Sequence, residues 1–205
     1  MSLMPLPRRY LRKVTRREHA AAEETAVMSA LFEAQLSGTV YIRLLQGYHA
    51  LYSEWEAQHA RWLTGDLRTS GWVYRSRLPA IESDLHALGA QTPGQPRDDA
   101  MRLPPAQAEP NAGELQLAAP SWGSLYVVEG SALGGQVIAR KLADEFPGHA
   151  HLFFNMGHGA GQPTWRDFQT LLDGQLGSAA ARRAVALQAR AAFGLFQRML
   201  EKVLE

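Results

Sequence analysis

Near the N-terminus, two guanidinium groups, one imidazole and one carboxylate recur at helical spacing: Arg12, Arg16, His19 and Glu23. At roughly 100° per residue they fall within a stripe about 60° wide on one helix face. A neutral imidazole binds a metal through one nitrogen when an acceptor holds the proton on the other. Glu23, four residues after His19, is at the separation where helix side chains meet. Cations one and two turns before the imidazole suit carboxylates hanging from a flat ligand. A haem asks for this set: an axial imidazole, an acceptor to orient it, and cations for two propionates. The same stripe lies roughly opposite Leu11, Val14 and Ala21, where an ordinary solvated charged face would also lie, so spacing alone leaves both readings open.

A second segment, Trp122 to Gln136, carries Gly130, Gly134 and Gly135 inside a helical pattern. Each interior glycine weakens a helix by roughly 1 kcal/mol relative to alanine, so the three together cost about 3 kcal/mol that something must offset. Gly123, Gly130 and Gly134 fall near one line on the wheel and leave a strip without side chains. A flat ligand can lie against such a strip, and a glycine pair permits a bend across it. Over a haem, the strip would leave the sixth iron position open to dioxygen, with backbone groups and ordered water against the bound gas. Close helix–helix packing through small residues fits the same strip equally well.

The elements that must position these residues are helical. Pro7 to about Thr25 reads as one helix, followed by a short piece around Leu31, Phe32 and Leu36. Gly38 to about Leu63 reads as a long helix whose Tyr41, Tyr48, Tyr52 and Trp55 belong to the core. Arg77–Leu88 is a helix ended by Gly89. Five prolines make Gln91–Gly113 an internal connector. Pro120 to about Phe146 forms the small-residue helix, 147–163 is irregular, and helices over Thr164–Leu176 and Ser178–Leu204 close the chain. The strand-like run Leu125–Val128 sits inside a longer helical pattern, so the expected class is all-α.

Composition narrows the chemistry further. The 205 residues suit one domain, 46% of them are apolar and 20% charged, and the net charge is +1, which does not favour nucleic acid as a partner. With no cysteine, thiolate catalysis, disulfides, iron–sulfur clusters and thiolate-bound haem are excluded. No secretory apolar run and no membrane-length stretch is visible, so no membrane is expected and a cytoplasmic location is the default expectation.

The two motif segments together resemble the haem oxygenase family, in particular its soluble bacterial branch, some members of which supply biliverdin to bacterial phytochromes. Thr15, His19 and Glu23 match the family's N-terminal pattern, and Gly130, Leu133, Gly134, Gly135 and Gln136 match its distal helix. The resemblance implies a single all-α domain over 1–205, with haem held between the N-terminal proximal helix and the glycine-rich distal helix. It implies His19 on the iron, Glu23 orienting it, and Arg12 and Arg16 facing the propionates. Gly130, Ser131, Gly134 and Gly135 would form the distal surface. Arg166, at the start of a late helix, is the nearest candidate for a further propionate partner, although a cation there is also what a solvated helix start carries.

The implied reaction uses dioxygen and electrons from a ferredoxin, a reductase or a small reductant to open haem, both cofactor and substrate, to biliverdin, carbon monoxide and ferrous iron. A bacterial phytochrome is the implied recipient. One departure stands out: many members place an Asp after the first distal glycine to organise water, and here that position is Ser131, which cannot act as a carboxylate does.

Two rival readings remain. A haem carrier would hold the ring without opening it. A di-iron oxidase on a helical bundle would need clustered Glu and His, of which Glu56–His59, with Glu54 nearby, is the only local pair of the right spacing. The remaining histidines, His49, His86, His149, His151 and His158, form no clean metal pair and are read as structural.

Overall fold

The computed structural model describes residues 7–33, 35–93, 121–157 and 163–205, so most of the proline-rich connector, together with Pro120 and His158, lies outside the described residues. The elements are α1 (Pro7–Val14), α2 (Arg16–Glu23), α3 (Ala26–Phe32), α4 (Gly38–Thr64), α5 (Asp66–Thr69), α6 (Leu78–Ala87), α7 (Trp122–Glu145), α8 (Trp165–Gln175) and α9 (Ala179–Lys202). Among the described residues there is no strand, and Leu125–Val128 is helical within α7.

The helix expected over Pro7–Thr25 is divided at Thr15. The Thr15 hydroxyl donates to the Leu11 carbonyl at 2.8 Å, and Arg190 of α9 donates through Nε to the Val14 carbonyl at 3.0 Å. Backbone bonds from Thr15 N to Leu11 O and from His19 N to Thr15 O keep the chain winding. A hydroxyl and a guanidinium that engage carbonyls about one turn apart bend a helix without unwinding it. Arg190 also pairs with Glu18 at 3.1 Å, fixing the bend against α9. Thr25 belongs to the next element, as the N-cap of α3.

Most other expected boundaries hold to within a residue or two. Ser37, Thr164 and Ser178 accept hydrogen bonds from backbone N–H groups at the starts of α4, α8 and α9, and Thr164 forms a reciprocal capping box with Asp167. Gly89, with φ +69°, ends α6: its N–H donates to His86 O and that of Ala90 to Leu85 O, the paired bonds of a left-handed C-terminal cap. The four-residue α5 is an addition that periodicity could not register, because it spans barely one turn.

α4 runs through the core, with Tyr41, Leu44, Leu45, Tyr52 and Trp55 all buried. Burying such side chains contributes about 1.5–3 kcal/mol each, which explains why a 27-residue helix carries so broad an apolar face. α7 packs along α9, and α2 packs on α9 as well, so α9 sets the spacing between α2 and α7. The segment after α7 is tied down by Asp84, which accepts from the backbone N–H groups of Leu152 and Phe153 at 2.8 Å each.

Candidate functional site

α2 and α7 line a shared cavity of about 730 Å³, within the ~300–1,000 Å³ range of small-molecule and cofactor sites. The N-terminal side contributes Arg12, Thr15, Arg16, His19 and Glu23. α7 contributes Tyr126, Gly130, Ser131, Gly134 and Gly135. Tyr48 and Tyr52 of α4, Phe153 and Phe154 of the following loop, Trp165 and Gln169 of α8, and Phe193 and Phe196 of α9 supply aromatic and polar walls. All four residues of the N-terminal stripe therefore face one concavity together with the distal glycines. A stripe that faced bulk solvent alone would line no such cavity.

His19 Nδ1 lies 3.2 Å from Glu23 Oε2, a separation set by one helical turn, and the His19 ring packs edge-on to Phe193 with centroids 5.2 Å apart. Holding Nδ1–H on the carboxylate leaves Nε2 as the lone-pair nitrogen. Arg12 and Arg16 are exposed at this wall.

The glycines of α7 divide by role. A Cβ on Gly123 would come within 2.2 Å of Val185 O and 2.6 Å of Ala189 N, so Gly123 serves helix–helix contact with α9. A Cβ on Gly135 would lie 2.7 Å from Phe154 O. By contrast, one on Gly134 would meet nothing within 4 Å, and one on Gly130 would meet only the Trp165 ring, at 3.3 Å. The strip that reads as uniform on the helical wheel is thus packed at Gly123, in reach of the Trp165 ring at Gly130 and bare at Gly134.

Ser131 directs its hydroxyl hydrogen to Val128 O at 2.8 Å, back into its own helix. What remains for the cavity is its lone pairs, which face the Tyr52 hydroxyl; burial raises the Tyr52 pKa and keeps that group a neutral donor. Glu129, the neighbour of Gly130, does not line this cavity. It is buried and accepts from Trp72 Nε1 at 3.2 Å and from Arg77 Nη2 at 3.1 Å.

Arg166 is exposed and lies outside the cavity lining, whereas Trp165 and Gln169, one turn apart on α8, line it. Sequence reasoning missed Arg77, Tyr126 and Trp165, and it read Tyr48 and Tyr52 as core alone although both also line the cavity. For Arg77 a signal existed: Glu129 sits in α7 beside Val127 and Val128, and a carboxylate on an apolar helix requires a buried cation.

The di-iron pattern is consumed by other contacts. Glu56 accepts from Tyr74 Oη, Ser76 Oγ and the Arg77 backbone N–H, while His59 Nδ1 bonds Trp55 O at 2.7 Å. Among the described residues no three His, Asp or Glu side chains gather to hold a metal, and no helix is long and apolar enough to cross a membrane.

Comparison with known proteins agrees with this architecture. The chain is 40% identical over 175 residues to a heme oxygenase of Xanthomonas campestris pv. campestris, covering 85% of this chain and 96% of that one. Its fold superposes on a heme oxygenase from Leptospira interrogans with TM-score 0.74 at 18% identity, covering 97% of this chain and all of that one. It also superposes on heme oxygenase-1 of the cyanobacterium Synechocystis sp. in complex with heme, with TM-score 0.73 at 16% identity, covering 97% and 92% of the two chains. The family model for heme oxygenase matches residues 8–202, a span that runs from the bent N-terminal helix through the glycine-bearing wall to the end of α9, and the chain belongs to that family.

Proposed function

We propose that the chain opens haem to biliverdin, carbon monoxide and ferrous iron within the α2–α7 cavity, with His19 as the proximal ligand. The observation that carries this reading is the opposition of two walls. One presents an imidazole whose Nδ1 is held by Glu23, and the other presents the bare backbone of Gly134. The residues fit the group: an apolar slot, one lone-pair nitrogen and two exposed cations suit a flat dianionic macrocycle.

Haem, when bound, supplies the dioxygen-activating iron and is itself the carbon skeleton that is oxidised. The protein's part is geometric and electrostatic. Glu23 fixes the His19 tautomer, and Phe193 limits rotation of its ring. Arg12 and Arg16 would hold the propionates. Tyr48, Tyr52, Phe153 and Phe154 exclude bulk water. Ser131 and Tyr52 offer a hydrogen-bonding pair at the α7 wall in place of a carboxylate.

Electrons come from an external ferredoxin, reductase or small reductant, since no residue here can donate them in turnover. By resemblance to the soluble bacterial branch, the product is available to a bacterial phytochrome.

The test is to add haemin to the purified protein, supply ascorbate or a ferredoxin system under air, and follow the Soret band while identifying the pigment. Loss of the band with formation of biliverdin is the expected result. Bound haem that persists under reductant and oxygen would mark a carrier and overturn the reading.

A further inference from the structure

The chain that leaves α7 supplies part of the cavity wall through Phe153, Phe154 and Met156. It is seated by a strained residue. His151 is 1% exposed and holds φ +48°, the only positive φ at a non-glycine among the described residues. A residue with a Cβ stays in that region only where its surroundings hold it there. Here Asn155 N donates to His151 O at 2.9 Å and Asn155 Nδ2 to Ala150 O at 2.8 Å, which closes a turn onto the strained residue. The next two residues, Leu152 and Phe153, give their N–H groups to Asp84.

The His151 ring is enclosed from several sides. Tyr41 of α4 places its hydroxyl 2.9 Å from Nδ1, while Nε2 is buried and makes no hydrogen bond among the described residues. Asp84 of α6 is the nearby negative charge, and the His149 ring lies 6.3 Å away. From α7 the ring meets the Leu142 and Phe146 carbonyls, whereas Glu145 turns its Oε1 to Leu36 N at 2.6 Å. Burial disfavours the charged ring and outweighs the pull of Asp84, so His151 in the seated turn titrates below its usual 6.5. The Asp84 carboxyl is raised by burial, so its titration favours the seated turn as pH falls, and opening by acid must come from a histidine.

We propose that His151 is a proton-sensitive catch on the cavity wall: neutral, it keeps the 151–156 turn seated, and proton uptake unseats the turn, carries Phe153 and Phe154 away from the cavity and releases the ligand. His151 touches no ligand and acts as a positioning residue through the two phenylalanines. The release of ligand rests on the reading of the cavity as the haem site. The unseating is a property of the ligand-free chain and is measured there.

Hydrogen exchange of the Leu152 and Phe153 amides in the haem-free protein reads the opening directly. An imidazole that titrates at its usual value only when the turn is open should lower the protection factors of these amides about fivefold between pH 6.5 and pH 5.5. Amides of Leu44 and Leu45 in α4 should change less. His151→Asn, whose side chain tolerates a positive φ, should abolish the slope. Biliverdin, released from its complex by rapid dilution, should leave about fivefold faster at the lower pH from the unaltered protein and at one rate from His151→Asn. A histidine that merely supports the fold predicts an offset in protection without a slope.

Protection at Leu152 and Phe153 that is equal at the two pH values, a slope that survives in His151→Asn, or biliverdin release indifferent to pH would each overturn the catch. If His151→Asn does not fold, His149→Asn decides: a slope retained there assigns it to His151, and a slope lost there overturns the proposal. Failure of the unaltered protein to bind haemin would overturn the functional reading itself, and amide exchange would still decide whether His151 holds the turn.

Discussion

Replacing Gly134 by alanine separates what the α7 glycines do for the fold from what they do for the ligand. In a helix interior, Gly→Ala stabilises by about 0.5–1 kcal/mol, because alanine loses less backbone freedom on folding. That gain is realised only where the new methyl finds space, and the Cβ at Gly134 meets nothing within 4 Å. For a chain of this length, roughly 2–4 °C accompanies each kcal/mol, so the haem-free Gly134→Ala protein should melt about 1–4 °C higher than the unaltered one. The same methyl projects into the cavity and should weaken haemin binding.

Gly123→Ala has the opposite expectation. Its Cβ would meet Val185 O at 2.2 Å and Ala189 N at 2.6 Å, both of them α9 backbone that cannot rotate away. Overpacking of that kind costs about 1–3 kcal/mol and exceeds the propensity gain. Thermal unfolding without haemin, paired with haemin titration, reads both effects. A Gly134→Ala protein less stable than the parent, or a Gly123→Ala protein that melts at or above the parent temperature, would refute the division of the glycines into ligand-facing and packing positions.

Removing the proximal imidazole with His19→Ala should abolish the axial-ligand signature in the spectrum of the haemin complex, and an unchanged spectrum would exclude His19. Arg12→Ala and Arg16→Ala should each weaken haemin binding by about 0.2–1 kcal/mol, the range for exposed ion pairs, with a loss that shrinks as salt is added; a salt-independent effect would argue against propionate contact. Asp84→Ala strands the N–H groups of Leu152 and Phe153 and should cost about 2–4 kcal/mol in urea unfolding, loosening the wall that carries Phe153 and Phe154. Burial lowers the His151 pKa below its usual 6.5, an effect that the nearby Asp84 charge only partly opposes. The folded chain therefore takes up its proton at lower pH than the unfolded chain does. His151 stability is full above about pH 6.5 and is lost as pH falls below it, by at most ~1.4 kcal/mol per pH unit. His59, lowered by burial as well, acts in the same direction. His151→Gln should flatten the decline of the urea midpoint between neutral and mildly acidic pH, and parallel curves would exclude His151 as a contributor.

Helix identity was legible from the sequence because local forces decide it. The 3.6-residue period of α4, the hydroxyl caps of α8 and α9 and the glycine that ends α6 are all short-range features. The His19–Glu23 pair was legible for the same reason, since one helical turn fixes the two side chains within reach wherever that helix lies. The bend at Thr15 was not, because half of its cause is Arg190, 176 residues further along the chain.

The tertiary structure alone decided which glycines face open space. Gly123 and Gly134 lie near one line on the wheel, yet α9 covers the first and leaves the second bare. It likewise decided that Gln169 rather than Arg166 reaches the cavity, and that Arg77 does. Spacing along a helix fixes the direction of a side chain relative to its neighbours. Which partner stands in that direction depends on how the helices pack, and the burial that makes the Arg77–Glu129 pair consequential arises only from contacts between distant parts of the chain.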